Sequence, residues 1–170
     1  MRLQIACAVL ALTFAQPLGA QTPEDRPSPV FQVNPLGFLQ FGPTVEAEFM
    51  AGRGVALAFG ARVPTLGLLS YAVDPDLGFS WTGAAAIRFF FDAERQPAGW
   101  WAGPRAELGR SNSSGETYTL KGGGLEFGHR WLRASGKNIT AGAMAGKFVS
   151  SSDLSGYFVM GVLNLGVGGR

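Results

Sequence analysis

Apolar and polar residues alternate along most of the chain after residue 30. From Leu39 to Phe49 the odd positions are largely apolar, while the even positions carry Gln, Gly, Thr and Glu. The same period of two runs through 55–63 and 81–91, and through 100–108 with the even positions apolar. Successive side chains of a β-strand point to opposite faces, so this period predicts strands, and no window sustains the longer period of a helix.

Turn-forming residues divide these segments into eight predicted strands. The first segment, 30–50, is about twice as long as the roughly 9–11 residues of a tilted membrane strand, and Gly42-Pro43 is predicted to fold it back. The stretch 64–78 is expected to be a loop containing a short turn of helix at 65–73. The predicted strands are 30–41, 44–50, 55–64, 79–91, 99–110, 117–132, 139–149 and 156–168.

One predicted strand contains a change of parity. Tyr118 and Leu120 lie on one face, whereas Leu125 and Phe127 have the other parity, and three glycines at 122–124 lie between them. A β-bulge at these glycines is predicted, because one extra residue would shift the alternation by one position.

The N-terminus has the layout of a secretory signal peptide. Arg2 precedes the apolar run from Leu3 to Phe14, and a small residue, Ala20, stands at the expected cleavage position. This run is shorter than the roughly 20 apolar residues of a spanning helix. The predicted organisation is a signal peptide over 1–20, a flexible leader over 21–29 and a β-barrel domain over 30–170.

Composition narrows the function classes. Charged residues are 15% of the chain, against about 25% in ordinary soluble domains, and 25 residues are Gly. The basic residues are scattered, so no stripe suited to nucleic acid is predicted. The only cysteine, Cys7, lies in the signal peptide, and the processed chain would have no disulfide or thiolate metal site. We expect no metal and no cofactor.

The two faces of the strands differ in a way that favours a membrane barrel. One face is uniformly apolar and aromatic, and the other combines Gly, Ala and Thr with a few charges. An eight-stranded barrel has an interior that side chains can fill, and its outside can meet lipid. The residues expected to face lipid are Phe41, Phe49, Phe59, Trp81, Phe89, Phe91, Trp100 and Tyr157. The residues expected to form a charge network in the lumen are Glu46, Glu48, Arg62, Arg88, Arg105, Glu107 and Lys121.

Three short motifs add a family resemblance. Residues 34–37 (NPLG) with 45–49 (VEAEF), residues 86–91 (AIRFFF) and residues 124–131 (GLEFGHRW) resemble the DUF3575-type bacterial outer-membrane β-barrel proteins. The resemblance covers 30–168. It implies an eight-stranded barrel in the outer membrane, and it implies no activity and no catalytic residues.

Candidate chemistry is sparse. His129, the only histidine, would need a nucleophile and an orienting acid, and the neighbouring sequence supplies neither. Residues 142–147 (GAMAGK) have one residue too few for a phosphate-binding loop and precede no helix. Asp74 and Asp76 have few other acidic residues near them for a calcium site. We expect no enzyme activity.

The sequence therefore predicts an all-β fold, an eight-stranded antiparallel up-and-down transmembrane β-barrel after an N-terminal signal peptide. The expected location is the bacterial outer membrane, with a structural, anchoring or minor, porin-like permeability role. The expected partners are outer-membrane lipid and the barrel assembly machinery, and no nucleic acid. Two alternatives stay open: a lipid-modifying hydrolase of the outer leaflet, and a soluble periplasmic barrel that binds an apolar ligand with its aromatic face turned inwards.

Overall fold

The computed structural model describes residues 28–151 and 155–169, which form one closed β-barrel. The predicted signal peptide and nearly all of the predicted leader lie outside the described residues. The eight strands are β1 (Val30–Asn34), β2 (Thr44–Gly52), β3 (Val55–Arg62), β4 (Trp81–Phe90), β5 (Gly99–Ser113), β6 (Glu116–Leu132), β7 (Lys137–Ser150) and β8 (Ser155–Gly168). The predicted all-β barrel of eight strands is confirmed.

Each strand pairs antiparallel with its neighbours in sequence, and β1 also pairs with β8 to close the barrel. When paired residues are followed from strand to strand once round the barrel, the path that starts at Leu132 on β6 comes back to β6 at Gly122. The strands are therefore staggered by about ten residues round the barrel. A stagger of this size in eight strands tilts them by about 40° from the barrel axis. The tilt sets which residues on different strands lie at the same height.

Alternation of more buried and more exposed side chains along the strands defines an inner and an outer face. On β1 the burial pattern alternates from Val30 to Asn34, with Phe31 and Val33 exposed. On β6 the even positions Glu126, Gly128 and Arg130 are buried. Two faces per strand follow from the period-two geometry, so parity assigns every strand residue to the lumen or to the outer surface.

The predicted bulge at 122–124 is wrong. The pairing of β5 with β6 runs without a shift from Gly99↔Arg130 to Ser113↔Glu116. Tyr118 and Leu120 therefore have inner-face parity, at the far end of a long hairpin.

The two ends of the barrel differ. One end carries both chain ends of the barrel and the turns β2–β3, β4–β5 and β6–β7, and we call it the terminal end. The other carries the connections β1–β2, β3–β4, β5–β6 and β7–β8, and we call it the loop end. The β3–β4 connection there holds a single 3-10 turn (Pro64–Leu66) and helix α1 (Leu68–Val73), which confirms the predicted turn of helix. No helix within 28–151 or 155–169 is long and apolar enough to cross a membrane.

The first strand is shorter than predicted. The sequence predicts one strand over residues 30–41, but β1 ends at Asn34 and a 3-10 helix occupies Pro35–Phe38. Pro35 has no backbone N–H to continue the ladder, and its fixed φ suits the start of this turn. Asn34 caps the turn by accepting a hydrogen bond from the Gly37 backbone N–H (3.3 Å).

Because β1 is short, part of the β8 edge facing it has no strand partner, and we call this gap in the barrel wall the seam. Within the described residues β1 pairs with β8 only from Val30 to Val33, so Ser155–Leu163 of β8 has no strand partner on that side. The side chain of Gln40 reaches this edge. In the amide orientation that satisfies both groups, it donates to the carbonyl oxygen of Gly161 and accepts from its N–H, each at 2.9 Å.

Candidate functional site

The lumen holds four carboxylates and four guanidinium groups that pair with one another. We call these eight residues the ion-pair network: Glu46 and Glu48 on β2, Arg62 on β3, Arg88 on β4, Arg105 and Glu107 on β5, and Glu126 and Arg130 on β6. Every member has inner-face parity on its strand. The alternation of the strands thus places all eight charges in one enclosed volume with no net charge.

Arg88 lies at the centre of the ion-pair network and is 1% exposed. Its Nη1 lies 2.6 Å from Oε1 of Glu46 and 2.6 Å from Oε2 of Glu48. Its Nε donates to Oε1 of Glu126 at 2.7 Å. The contacts with Glu48 and Glu126 are charge-assisted hydrogen bonds, which are among the strongest in proteins, and the contact with Glu46 is a close ion pair. One guanidinium thus joins three strands.

From Arg88, two series of ion-pair contacts lead towards the two ends of the barrel. Toward the terminal end, Arg130 donates through Nη1 and Nη2 to the two carboxylate oxygens of Glu48, at 2.5 and 2.8 Å. Toward the loop end, Arg105 donates to Glu46 (2.7 Å) and to Glu107 (2.9 Å). Arg62 donates to the same Glu107 oxygen at 2.9 Å. The signs alternate along the whole chain of contacts, so no buried charge in it lacks an opposite partner.

Bulky side chains fill the space beside the ion-pair network. Trp101 is fully buried, with the Arg88 guanidinium 4.4 Å from the ring centroid. Arg130 lies over the Phe90 ring at 5.6 Å. The cavity that borders Glu46, Arg88 and Arg105 has a volume of about 20 Å³. That is room for about one water molecule, so the middle of the lumen is packed.

The structure brings six of the seven predicted lumen charges together and separates Lys121 from them. Lys121 is exposed and has outer-face parity on β6, since the bulge that would have turned it inwards is absent. Glu126 and Arg130 belong to the network and were missed by sequence reasoning. Their even parity, opposite to Phe127 and Trp131, was the signal that could have found them.

The outer face of the strands forms a continuous apolar band. Its exposed members include Phe31, Val33, Val45, Phe59, Ile87, Leu108, Leu125, Phe127, Val159, Leu163 and Leu165. Exposed Trp100 and Trp131 lie near the terminal end, and Trp81 lies near the loop end. The ten or so residues from Trp131 to Lys121 span about 33 Å along β6, or about 25 Å along the barrel axis at a tilt near 40°.

Seven of the eight predicted lipid-facing aromatics are exposed: Phe49, Phe59, Trp81, Phe89, Phe91, Trp100 and Tyr157. Tyr157 is the most open, with 85% of its surface accessible. Phe41 differs, because it lies in the turn before β2 and is half-buried. Its place in that turn follows from the early end of β1.

His129 is held between two aromatic rings on the outer face. Its ring centroid lies 4.7 Å from that of Trp100 and 4.4 Å from that of Trp131. Within residues 28–151 and 155–169 no hydroxyl or carboxylate is hydrogen-bonded to it, and no group of three or more His, Cys, Asp or Glu side chains is arranged to hold a metal.

Comparison with protein-family models, with curated proteins and with solved structures finds no match to this chain. The resemblance to DUF3575-type proteins therefore stays a prediction.

Proposed function

We propose that this chain is a β-barrel protein of the bacterial outer membrane with a structural or anchoring role. The observation that carries the proposal is the outer apolar band. Its height of about 25 Å equals the lipid-facing band of outer-membrane barrels, and aromatic side chains border it at both edges. An exposed apolar surface of this extent would cause a soluble protein to aggregate, whereas lipid would cover it.

The interior supports a structural rather than a transport role. A neutral, fully paired set of eight charges and the buried Trp101 ring leave little space for solute or water. Any permeability would therefore be minor. Most aromatic side chains point outwards, and Phe90 and Trp101 in the lumen are packed against the ion-pair network, which is the reverse of what a soluble barrel with an internal apolar ligand requires.

We also infer that the protein has no catalytic activity of its own. A lipid hydrolase would need a nucleophile close to His129, and both sides of that ring contact tryptophan instead. The two longest connections, β1–β2 and β3–β4, lie at the loop end, which supports the usual orientation of such barrels, with both chain ends on the periplasmic side. Export and insertion would use a signal peptide over 1–20 and the barrel assembly machinery.

Heat modifiability of the chain on SDS gels tests the proposal. Envelope fractions are run with and without boiling, and the chain is detected by blotting. A band in the membrane fraction that migrates faster before boiling is the expected result, because a closed barrel resists the detergent. A chain that stays in the soluble fraction with no shift would overturn the proposal.

A further inference from the structure

Three basic side chains interrupt the apolar outer face near the loop end. They are Arg110 on β5, Lys121 on β6 and Lys147 on β7, and all three are exposed with outer-face parity. We call them the basic row. A charge on an otherwise apolar surface needs a reason, since burial of a lysine or arginine in lipid is costly.

The basic row crosses three adjacent strands at nearly one height. Lys121 pairs with Leu108, two residues from Arg110, and Lys147 pairs with Gly123, two residues from Lys121. Each step is thus one diagonal across adjacent strands, about 7–8 Å between Cα atoms. Because of the stagger, a circle of constant height round the barrel shifts by just over one residue per strand towards the terminal end from β5 to β7, relative to directly paired residues. The basic row shifts by two residues per strand in the same direction, so it runs nearly perpendicular to the barrel axis.

This height is the loop-side edge of the apolar band. Arg110 lies about ten residues along β5 from Trp100, and Lys121 lies as far along β6 from Trp131. Trp81, an interfacial aromatic, pairs directly with Arg110. The basic row is therefore placed where the head groups of the loop-side leaflet would begin.

No carboxylate of the protein neutralises the basic row in the described part of the chain. The three side chains make no ion pair there, and the Lys147 ammonium lies 5.7 Å from the centroid of the Tyr157 ring. Glu107 and Glu126 on the same strands point into the lumen. Glu116, at the hairpin tip, accepts a hydrogen bond from Tyr118 (2.6 Å). Among the residues that the structure describes, the row is thus a positive charge without an acidic partner beside an apolar surface.

We propose that the basic row binds the phosphate groups of a lipid in the loop-side leaflet, with the acyl chains lying on the apolar band below it. The proposal rests on the membrane location proposed above. An anionic, phosphorylated lipid fits both halves of this surface, because arginine and lysine bind phosphate and Leu108, Leu125 and Val159 offer apolar contact. In an outer membrane this lipid is the phosphorylated glycolipid of the outer leaflet.

The test uses the full chain purified in non-ionic detergent and titrated with diphosphoryl lipid A. Binding is followed by the shift of the boiling-dependent unfolding temperature and by native mass spectrometry. A variant carrying Arg110→Gln, Lys121→Gln and Lys147→Gln is compared with the wild type. At about fivefold per basic residue, the affinity of the variant should fall on the order of 100-fold.

A matched control removes the same charge from the other end through Arg95→Gln, Arg133→Gln and Lys137→Gln, all exposed. It should bind diphosphoryl lipid A like the wild type, and dephosphorylated lipid A should bind wild type and basic-row variant equally weakly.

Equal affinity of the wild type and the basic-row variant for the diphosphoryl lipid would overturn the inference. So would inorganic phosphate binding the wild type as tightly as the lipid does. A wild type that shows heat modifiability but fails these tests would refute the lipid site alone, whereas loss of heat modifiability would refute the membrane proposal itself.

Discussion

Arg88 is the residue on which the interior depends most directly, because three carboxylates surround one buried guanidinium. An Arg88→Met variant would keep most of the side-chain volume and leave Glu46, Glu48 and Glu126 without their shared partner. Breaking a buried pair in this way typically costs about 3–5 kcal/mol, since the remaining charge stays desolvated. We expect a loss of at least that size in the free energy of unfolding, measured by urea titration in lipid vesicles.

Two further variants show whether this loss comes from burial and geometry. Arg53→Gln removes the exposed pair with Glu94 and should change the free energy of unfolding by less than about 1 kcal/mol. Arg88→Lys keeps the charge but cannot bridge three carboxylates with a planar fork, so its loss should be intermediate. Equal effects of Arg88→Met and Arg53→Gln would mean that the ion-pair network does not stabilise the barrel.

At the scale of single strands, sequence periodicity predicted most of the fold. The strands from β2 to β8 fall within a few residues of their predicted ranges, because along each of them the outer face is apolar and the lumen face differs from it in polarity or size. The alternation becomes unreliable where this difference ends. Tyr118 and Leu120 lie beyond the basic row, where the inner face of β6 is only half-buried, and the glycines at 122–124 carry no side chain to show parity.

The candidate site was less predictable than the fold, for a physical reason. Parity can place a charge in the lumen, as it did for Glu48 and Arg105, but it cannot say which charges meet. Arg130 contacts Glu48 across 82 residues of sequence, and that contact depends on the register and tilt of the closed barrel. The seam at β8 was equally invisible, because it arises from the turn that replaces the second half of the predicted first strand.

The side chain of Gln40 is expected to seal the seam between β1 and β8. Gly161, its partner, pairs with Ala143 on β7, which in turn pairs with Phe127 in the middle of the apolar band. Unpaired backbone groups at that depth in lipid are costly. Gln40→Ala should therefore destabilise the barrel by about 1–3 kcal/mol and lower the temperature at which the gel band shifts.

The neighbouring Leu39→Ala provides the control, because Leu39 is exposed and its side chain makes no hydrogen bond. It should leave the temperature of the band shift nearly unchanged. If Gln40→Ala were as stable as Leu39→Ala, the edge of β8 would have to be satisfied in some other way, and the sealing role of Gln40 would be wrong.

For the molecule as a whole, polarity is inverted relative to a soluble barrel. The apolar side chains that would form a soluble core stand outside, and the charges that would be solvated lie inside. Such an interior is stable only if the charges balance, which the four acidic and four basic members of the ion-pair network do. The same balanced and closely packed charges also fill the lumen, so a stable interior and the proposed low permeability would have one structural cause.

Conductance across a planar bilayer tests that link. The wild-type chain should give no steady current, because the packed region around Arg88 and Trp101 blocks the lumen. A double variant, Glu48→Ala with Arg88→Ala, removes one charge of each sign together with two large buried side chains, and it should admit water and produce discrete current steps. The control Arg53→Ala with Glu94→Ala removes an exposed pair at the terminal end and should give no current.

The gel shift of each variant reports whether the barrel has closed. A folded double variant without current would show that the remaining network still blocks the lumen, whereas steady current through the wild type would refute a closed lumen and favour a permeability role.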